Sequence, residues 1–220
     1  STHFEYSLIT IFWIIFIMYF INIYNFMDGI DSLASSQSIY FISSIALLYS
    51  FFPATAIPII AFLLFNITPA KIFLGNSGSY LLGTLLASYL FNMGYDFLYI
   101  NEIIIYLILL TIFLADSTYT LIRRFIYKHI EQKETFIKSI QYVTDAHSTH
   151  NYQILAKKFK SHSTVVLLLM TYNIFWCLPL AYLVFDGNND IFTSLIFLLL
   201  SYIPYIIWCY KNDAGLPKEL

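Results

Sequence analysis

The sequence predicts an all-α, polytopic integral membrane protein with about seven transmembrane helices, on three observations. Of its 220 residues, 59% are hydrophobic, 20% aromatic and only 11% charged, too little polar surface to clothe a water-soluble globule of this size. Charged side chains are absent from residues 6–27, 32–70, 72–95, 161–185 and 191–210, and a helix needs about 20 apolar residues to cross a bilayer. Threading seven spans, six through these stretches and one near 99–122, puts all 11 Lys and Arg on one side, as expected when basic loops stay cytoplasmic. The charged residues left for the opposite loops are Glu5, Asp96, Glu102, Asp186 and Asp190. The first residue therefore faces outward and the carboxyl end faces the cytoplasm.

The first span is expected near 6–26. Asn22, Asn25 and Asp28 follow at intervals of three, one polar stripe if the helix continues, and Gly29 then loosens the backbone before Asp31. Carboxylates at membrane depth are costly and mark functional sites by default, although Asp28 and Asp31 could instead cap the next helix from water. Pro53 and Pro58 divide the following apolar run into spans near 33–52 and 54–66. A turn from Asn66 through Lys71, Phe73, Gly75 and Asn76 leads to a fourth span near 79–95. Amides of this turn can face an anion at a helix N-terminus. Lys71 adds a cation, Phe73 offers a face for a base to stack on, and Asn66 carries both a donor and an acceptor for a nucleobase edge.

A fifth span is expected near 99–122, with Asp116 close to its end; Asp116 with Arg123 and Arg124 reads as an ion pair or an interfacial anchor. Residues 123–163 form a polar cytoplasmic loop in which Phe125, Ile126, Ile130, Phe136, Ile137, Ile140 and Val143 recur at helical spacing among Lys and Glu. This pattern suits a helix lying on the membrane surface or a solvated connection. Within the loop, His147 and His150 lie beside Lys157 and Lys158. Two histidines three apart could bind a metal, but phosphate contact is the more natural use without an accompanying carboxylate motif. The last spans are expected near 164–185 and 191–210. Cys177 and Cys209 fall inside them and read as apolar filler. All the polar clusters thus share the cytoplasmic face, where separate loops can converge on one site.

Taken together and in this order, Asn-x-x-Asn-Phe-Met-Asp-Gly-Ile-Asp at residues 22–31, Asn-x-x-Pro-Ala-Lys-Ile-Phe-Leu-Gly at 66–75 and His-x-x-His-x-Tyr-Gln at 147–153 resemble the polyprenyl-phosphate N-acetylhexosamine-1-phosphate transferases, glycosyltransferase family 4. The third string, with Asp116 and residues 120–124, is most similar to the O-antigen and capsule branch. The resemblance implies transfer of a sugar-1-phosphate from a UDP-sugar to polyprenyl phosphate, with release of UMP and help from Mg²⁺, in the bacterial inner membrane with the site facing the cytoplasm. It implies Asn25 and Asp28 close to metal and diphosphate, Asp31 near the nucleotide, Asn66 and Phe73 on the uracil with Lys71 and Gly75 beside them, and His147 and His150 on the diphosphate or sugar. Asp28, Asp31, His147 and His150 are the catalytic candidates, and Asn25 and Asn76 the metal candidates. No nucleic-acid partner is expected, and a homo-oligomer is left open.

The chain departs from the family at three points: Asn76 stands where the family carries an Asp metal ligand, no Asp-Asp pair occurs, and Ser148 replaces a basic residue. A start at Ser1 and the missing Asp-Asp fit one transmembrane domain over 1–220 that is the C-terminal two thirds of a longer transferase. Asn76 keeps open a binding or scaffold relative that has lost turnover. A seven-span receptor or transporter would spread polar groups through its spans or over the outer face, which this chain does not do.

Overall fold

A computed structural model describes residues 2–93, 100–187 and 189–217. The fold is all-α among them. Asp96 and Lys218, used above to orient the chain, lie outside the described residues. Eleven α-helices follow in order: α1 (Thr2–Phe26), α2 (Leu33–Tyr49), α3 (Ala56–Asn66), α4 (Gly75–Met93), α5 (Ile100–Leu109), α6 (Thr111–Ile126), α7 (Phe136–Thr144), α8 (Asn151–Phe159), α9 (His162–Tyr172), α10 (Leu178–Asp186) and α11 (Ile191–Lys211). By length and composition, α9 with α10 (His162–Asp186) and α11 are long and apolar enough to cross a membrane, and the bent pair α5–α6 makes a third candidate. Apolar side chains point outward over these helices, among them Phe175, Phe192, Leu199 and Ile203, a surface suited to lipid rather than water.

Proline divides the second and third spans where the sequence predicts it. α2 stops at Tyr49, ahead of Pro53, and Pro58 occupies the first turn of α3, where a missing N–H costs nothing. The predicted fourth span starts earlier than expected, at Gly75 rather than near residue 79. Pro179 follows a π turn over Asn173–Cys177 that joins α9 to α10, a local widening that absorbs the lost donor. Pro204 sits inside α11 and deprives the Leu200 carbonyl of its helical partner. The Trp176 indole N–H donates to that carbonyl at 3.0 Å, so a neighbouring helix restores the missing bond.

The predicted span near 99–122 is two helices bent by 76° at Leu110. No Pro or Gly lies at the bend; the carbonyls freed there are satisfied from elsewhere. Gln37 Nε2 donates to Leu109 O at 3.0 Å, Tyr202 OH to Leu107 O at 3.2 Å, and Thr111 Oγ1 to Ile108 O at 2.7 Å. Asn173 Nδ2 in turn donates to Gln37 Oε1 at 2.7 Å, linking bend and π turn in one buried network.

α2 lies centrally, packing on α3, α4, α5, α9 and α10. Its small residues allow close approach, and buried Ser38 pairs with Tyr24 OH at 2.6 Å. α1 runs against α4, close enough that a Cβ on Gly83 would lie 3.0 Å from Ile21 Cα. Cys177 and Cys209 are buried and unpaired with each other. Residues 123–163 hold the end of α6, a π turn over Tyr127–Glu131, the short helices α7 and α8, and the start of α9. α7 exposes Phe136, Ile137 and Ile140 while Ser139 faces inward.

Candidate active site

α1 ends at Phe26, so the expected polar stripe is interrupted. Asn22 is exposed and bonds back to Met18 O at 2.7 Å, whereas Asn25 and Asp28 turn into a cleft. The turn carrying Asp28 is seated on α8: Tyr152 OH donates to Phe26 O at 2.8 Å. A Cβ on Gly29 would lie 2.2 Å from that hydroxyl and 3.0 Å from Gln153 Nε2. Only glycine lets α8 approach this closely.

The cleft has two lobes that share Asn25, Asp28 and Gly29 as a common wall. The first, about 410 Å³, continues over Asp31, Asn66, Phe73, Asn76 and His162; the second, about 350 Å³, over Asp145, His147, His150, Tyr152 and Gln153. Segments separated by more than 100 residues thus open on one carboxylate, that of Asp28.

In the first lobe the loops are tied together by side chains. Asn66 is buried, with Oδ1 accepting from Ser32 N and Ser35 Oγ at 3.0 Å each, and Nδ2 donating to Ile72 O at 2.9 Å. Most of its polar capacity is therefore spent holding the 66–75 turn against the start of α2. Asp31 Oδ2 accepts from Ala70 N at 3.3 Å, joining the same two loops. Phe73 is 74% exposed and offers a free aromatic face. Gly75, with φ +62°, starts α4 and brings Asn76 to Asn25. Asn25 Nδ2 donates to Asn76 Oδ1 at 3.2 Å and to Ser79 Oγ at 2.8 Å. Lys71 is exposed at the turn with its backbone N–H on Phe65 O, and it is not among the residues that wall the first lobe.

The second lobe rests on Asp116. Its wholly buried carboxylate accepts from the backbone N–H groups of Asn151 and Tyr152 at 3.0 Å each, from Tyr205 OH at 2.9 Å and from His150 Nδ1 at 3.2 Å. These N–H groups belong to the first turn of α8, where an anion is favoured. Asp116 is therefore the docking point of α8, and neither the ion pair with Arg123 and Arg124 nor the interfacial anchor describes it. Arg123 pairs with Glu131 instead, and Arg124 reaches the Tyr142 carbonyl. The chain after α11 adds a brace: Gly215 N donates to Thr149 O at 2.9 Å and Asn212 Nδ2 to Asn151 Oδ1 at 2.8 Å.

His150 is 2% exposed, and its ring stacks on that of His147 with centroids 4.9 Å apart. Donation from Nδ1 to Asp116 leaves Nε2 as its remaining polar atom. Burial, the neighbouring His150 and Arg124 push His147 down to about 3. His147 is therefore a neutral imidazole near pH 7, able to donate one N–H but not to act as a fixed cation.

His162 is a site residue that the motifs did not reveal. It is the first residue of α9, its Nδ1 accepts from Asp31 N at 3.4 Å, and the same atom lies 3.4 Å from Asp31 Oδ2. A lone His at the start of an apolar run carries no local signal, so only the fold exposes it.

Burial pushes the Asp28 carboxyl up to about 7, and among the described residues neither of its oxygens has a hydrogen-bond or ion-pair partner. An anion held this way is stabilised by a cation. No group of three or more His, Cys, Asp or Glu among the described residues forms a ready metal cage. The lobe instead offers the Asp28 and Asp31 carboxylates and the Asn76 amide oxygen. This oxygen-only set fits a magnesium ion, which takes one or two carboxylates and fills its remaining positions with water and substrate phosphate. Asn25 fits less directly, because its amide nitrogen is turned toward Asn76.

Residues 1–94 match the model of Glycosyl transferase family 4. The chain is 29% identical over 164 residues to the undecaprenyl-phosphate alpha-N-acetylglucosaminyl 1-phosphate transferase of Thermotoga maritima, covering 72% of this chain and 47% of the relative. It is 35% identical over 126 residues to the phospho-N-acetylmuramoyl-pentapeptide-transferase of Petrotoga mobilis, covering 51% and 40%. The chain thus spans less than half the length of these curated relatives. No solved structure matches it. The similarity is homology at the level of the polyprenyl-phosphate sugar-1-phosphate transferases and singles out no branch.

Proposed function

We propose that the two-lobed cleft is the active site of a transferase that moves a sugar-1-phosphate from a UDP-N-acetylhexosamine to polyprenyl (undecaprenyl) phosphate, releasing UMP and initiating a lipid-linked cell-envelope glycan. The observation that carries this reading is the shared wall of Asn25, Asp28 and Gly29, which opens a lobe with an exposed aromatic ring and a lobe with two histidines onto the same carboxylate. A nucleoside diphosphate sugar has matching parts: a flat base, a central diphosphate and a polar sugar.

In this reading the base stacks on Phe73 beside the loops that Asn66 holds in place, with Lys71 at the rim and Gly75 setting the turn. Asp28, with Asp31 and the Asn76 oxygen, would hold Mg²⁺ in this lobe. When bound, the ion offsets the charge of two polyanionic substrates and polarises the phosphoryl oxygens. His147 donates a ring N–H to the diphosphate or sugar, His150 presents Nε2 as an acceptor to a sugar hydroxyl because its N–H is given to Asp116, and Asp116 holds both in place by fixing α8. An oxygen of the lipid phosphate attacks the sugar-bearing phosphorus, and the bridging oxygen departs with UMP. The site belongs at the cytoplasmic edge of the bacterial inner membrane because the acceptor's tail stays in the bilayer while the nucleotide sugar arrives from water. Seven spans in one transmembrane domain over residues 1–220, with 123–163 as a cytoplasmic loop, complete the proposal.

The reading is tested by UMP release from UDP-N-acetylhexosamine when the complete gene product, inserted in membranes, receives polyprenyl phosphate and Mg²⁺. Lipid-dependent release supports it; a folded, inserted protein that releases no UMP from any UDP-sugar overturns it. Asn76 favours a second reading, a relative that binds substrate without turnover, because a neutral amide holds Mg²⁺ less strongly than a carboxylate. Asn76→Asp separates the two. Its carboxylate can still accept from Asn25 Nδ2, so release appearing only in the variant identifies the second.

A further inference from the structure

His162 is anchored by one ring nitrogen and offers the other to the first lobe. The backbone N–H of Asp31 points at Nδ1 with hydrogen-bond geometry, so Nδ1 is the acceptor and carries no proton. The proton of the neutral imidazole then resides on Nε2. The ring walls the lobe that holds Phe73 and Asp31, and its side chain is 41% exposed. Among the described residues Nε2 has no partner. The other side-chain donors of this lobe are largely committed: Asn25 to Asn76 and Ser79, Asn66 to Ile72.

We propose that His162 is a substrate-contacting residue, whose Nε2–H donates to an oxygen acceptor of the nucleotide bound in the Phe73 lobe. The proposal rests on the function proposed above. That acceptor is a phosphate oxygen or an oxygen of the base or ribose; both present the same chemistry to an N–H. His162 links three segments, because the Asp31 that it anchors also binds Ala70. A ring held this way meets the ligand without first losing its own freedom of rotation.

Two substitutions separate contact from support. His162→Asn retains an acceptor near the Nδ1 position for Asp31 N but has nothing at the reach of Nε2. His162→Gln places an N–H at that reach while giving up the acceptor. Binding of UMP and of uridine to the complete gene product in lipid nanodiscs, with Mg²⁺ present, is measured by calorimetry, and the melting temperature of each variant is recorded. The expected result is about tenfold weaker UMP binding for His162→Asn, with His162→Gln closer to the unsubstituted protein. A loss confined to UMP assigns the acceptor to phosphate, and an equal loss with uridine assigns it to base or ribose. Unchanged binding in His162→Asn, or restoration by Asn but not Gln, overturns the contact and makes His162 a support for Asp31. If the unsubstituted protein binds neither compound, the proposed function itself fails and this inference falls with it.

Discussion

Asp28 stands on the wall shared by the two lobes of the cleft. Its carboxyl is pushed up to about 7 by burial, against 3.8 for the ordinary group. A raised carboxyl contributes stability that is fully present below pH 3.8 and is lost as the pH rises through 7, because the folded state must then hold a poorly solvated anion. In metal-free buffer, Asp28→Asn is therefore expected to raise the melting temperature at pH 8 and leave it little changed at pH 4. The same substitution is expected to reduce UMP release by about 100-fold or more, since it removes the anion that would hold Mg²⁺. A variant that is both less stable at pH 8 and still active would contradict both statements. Asp28 and Phe73 are legible in the sequence as candidates because polar or turn residues at the ends of apolar runs are conspicuous, and His147 because it is paired with His150 beside Lys157 and Lys158 in a polar loop. His162 is not, because its meaning depends on Asp31, 131 positions away.

At the scale of elements, the site depends on contacts between helices that are distant in sequence. Gly29→Ala drives a methyl group into Tyr152 OH and is expected to cost about 1–3 kcal/mol in stability, together with activity. Pairing it with Tyr152→Phe removes the clashing hydroxyl and is expected to recover part of the loss, a coupling that a double-mutant cycle of melting temperatures measures. Gln37→Leu leaves both Leu109 O and Asn173 Nδ2 without their partner at the α5–α6 bend and is expected to cost about 1–3 kcal/mol for each group. Chemical unfolding of the reconstituted protein reads this directly. The breaks at Pro53 and Pro58 were visible beforehand because proline acts on its own chain. The bend at Leu110 carries no local signal because its freed carbonyls are satisfied by Gln37 and Tyr202 from other helices, and Asp116 does not pair with the nearby arginines because, Thr120 apart, its partners lie 34 to 89 positions away.

For the whole molecule, the segregation of Lys and Arg predicts that the residues near 163 face the cytoplasm and those near 189 face outward. A membrane-impermeant maleimide is expected to label Asn189→Cys in intact cells and Ser163→Cys only after permeabilisation, while buried Cys177 and Cys209 stay unreactive. Labelling of both sites from outside would refute the seven-span threading. The cleft itself is tested most directly by photolabelling with a UDP-sugar that carries an azide on the uracil, followed by mass spectrometry of the modified peptides. The account predicts labelling of the 66–76 turn that carries Phe73, suppressed by excess unlabelled UDP-sugar and lost in Phe73→Ala. Labelling that is absent, insensitive to competitor, or confined to the opposite membrane face would contradict it.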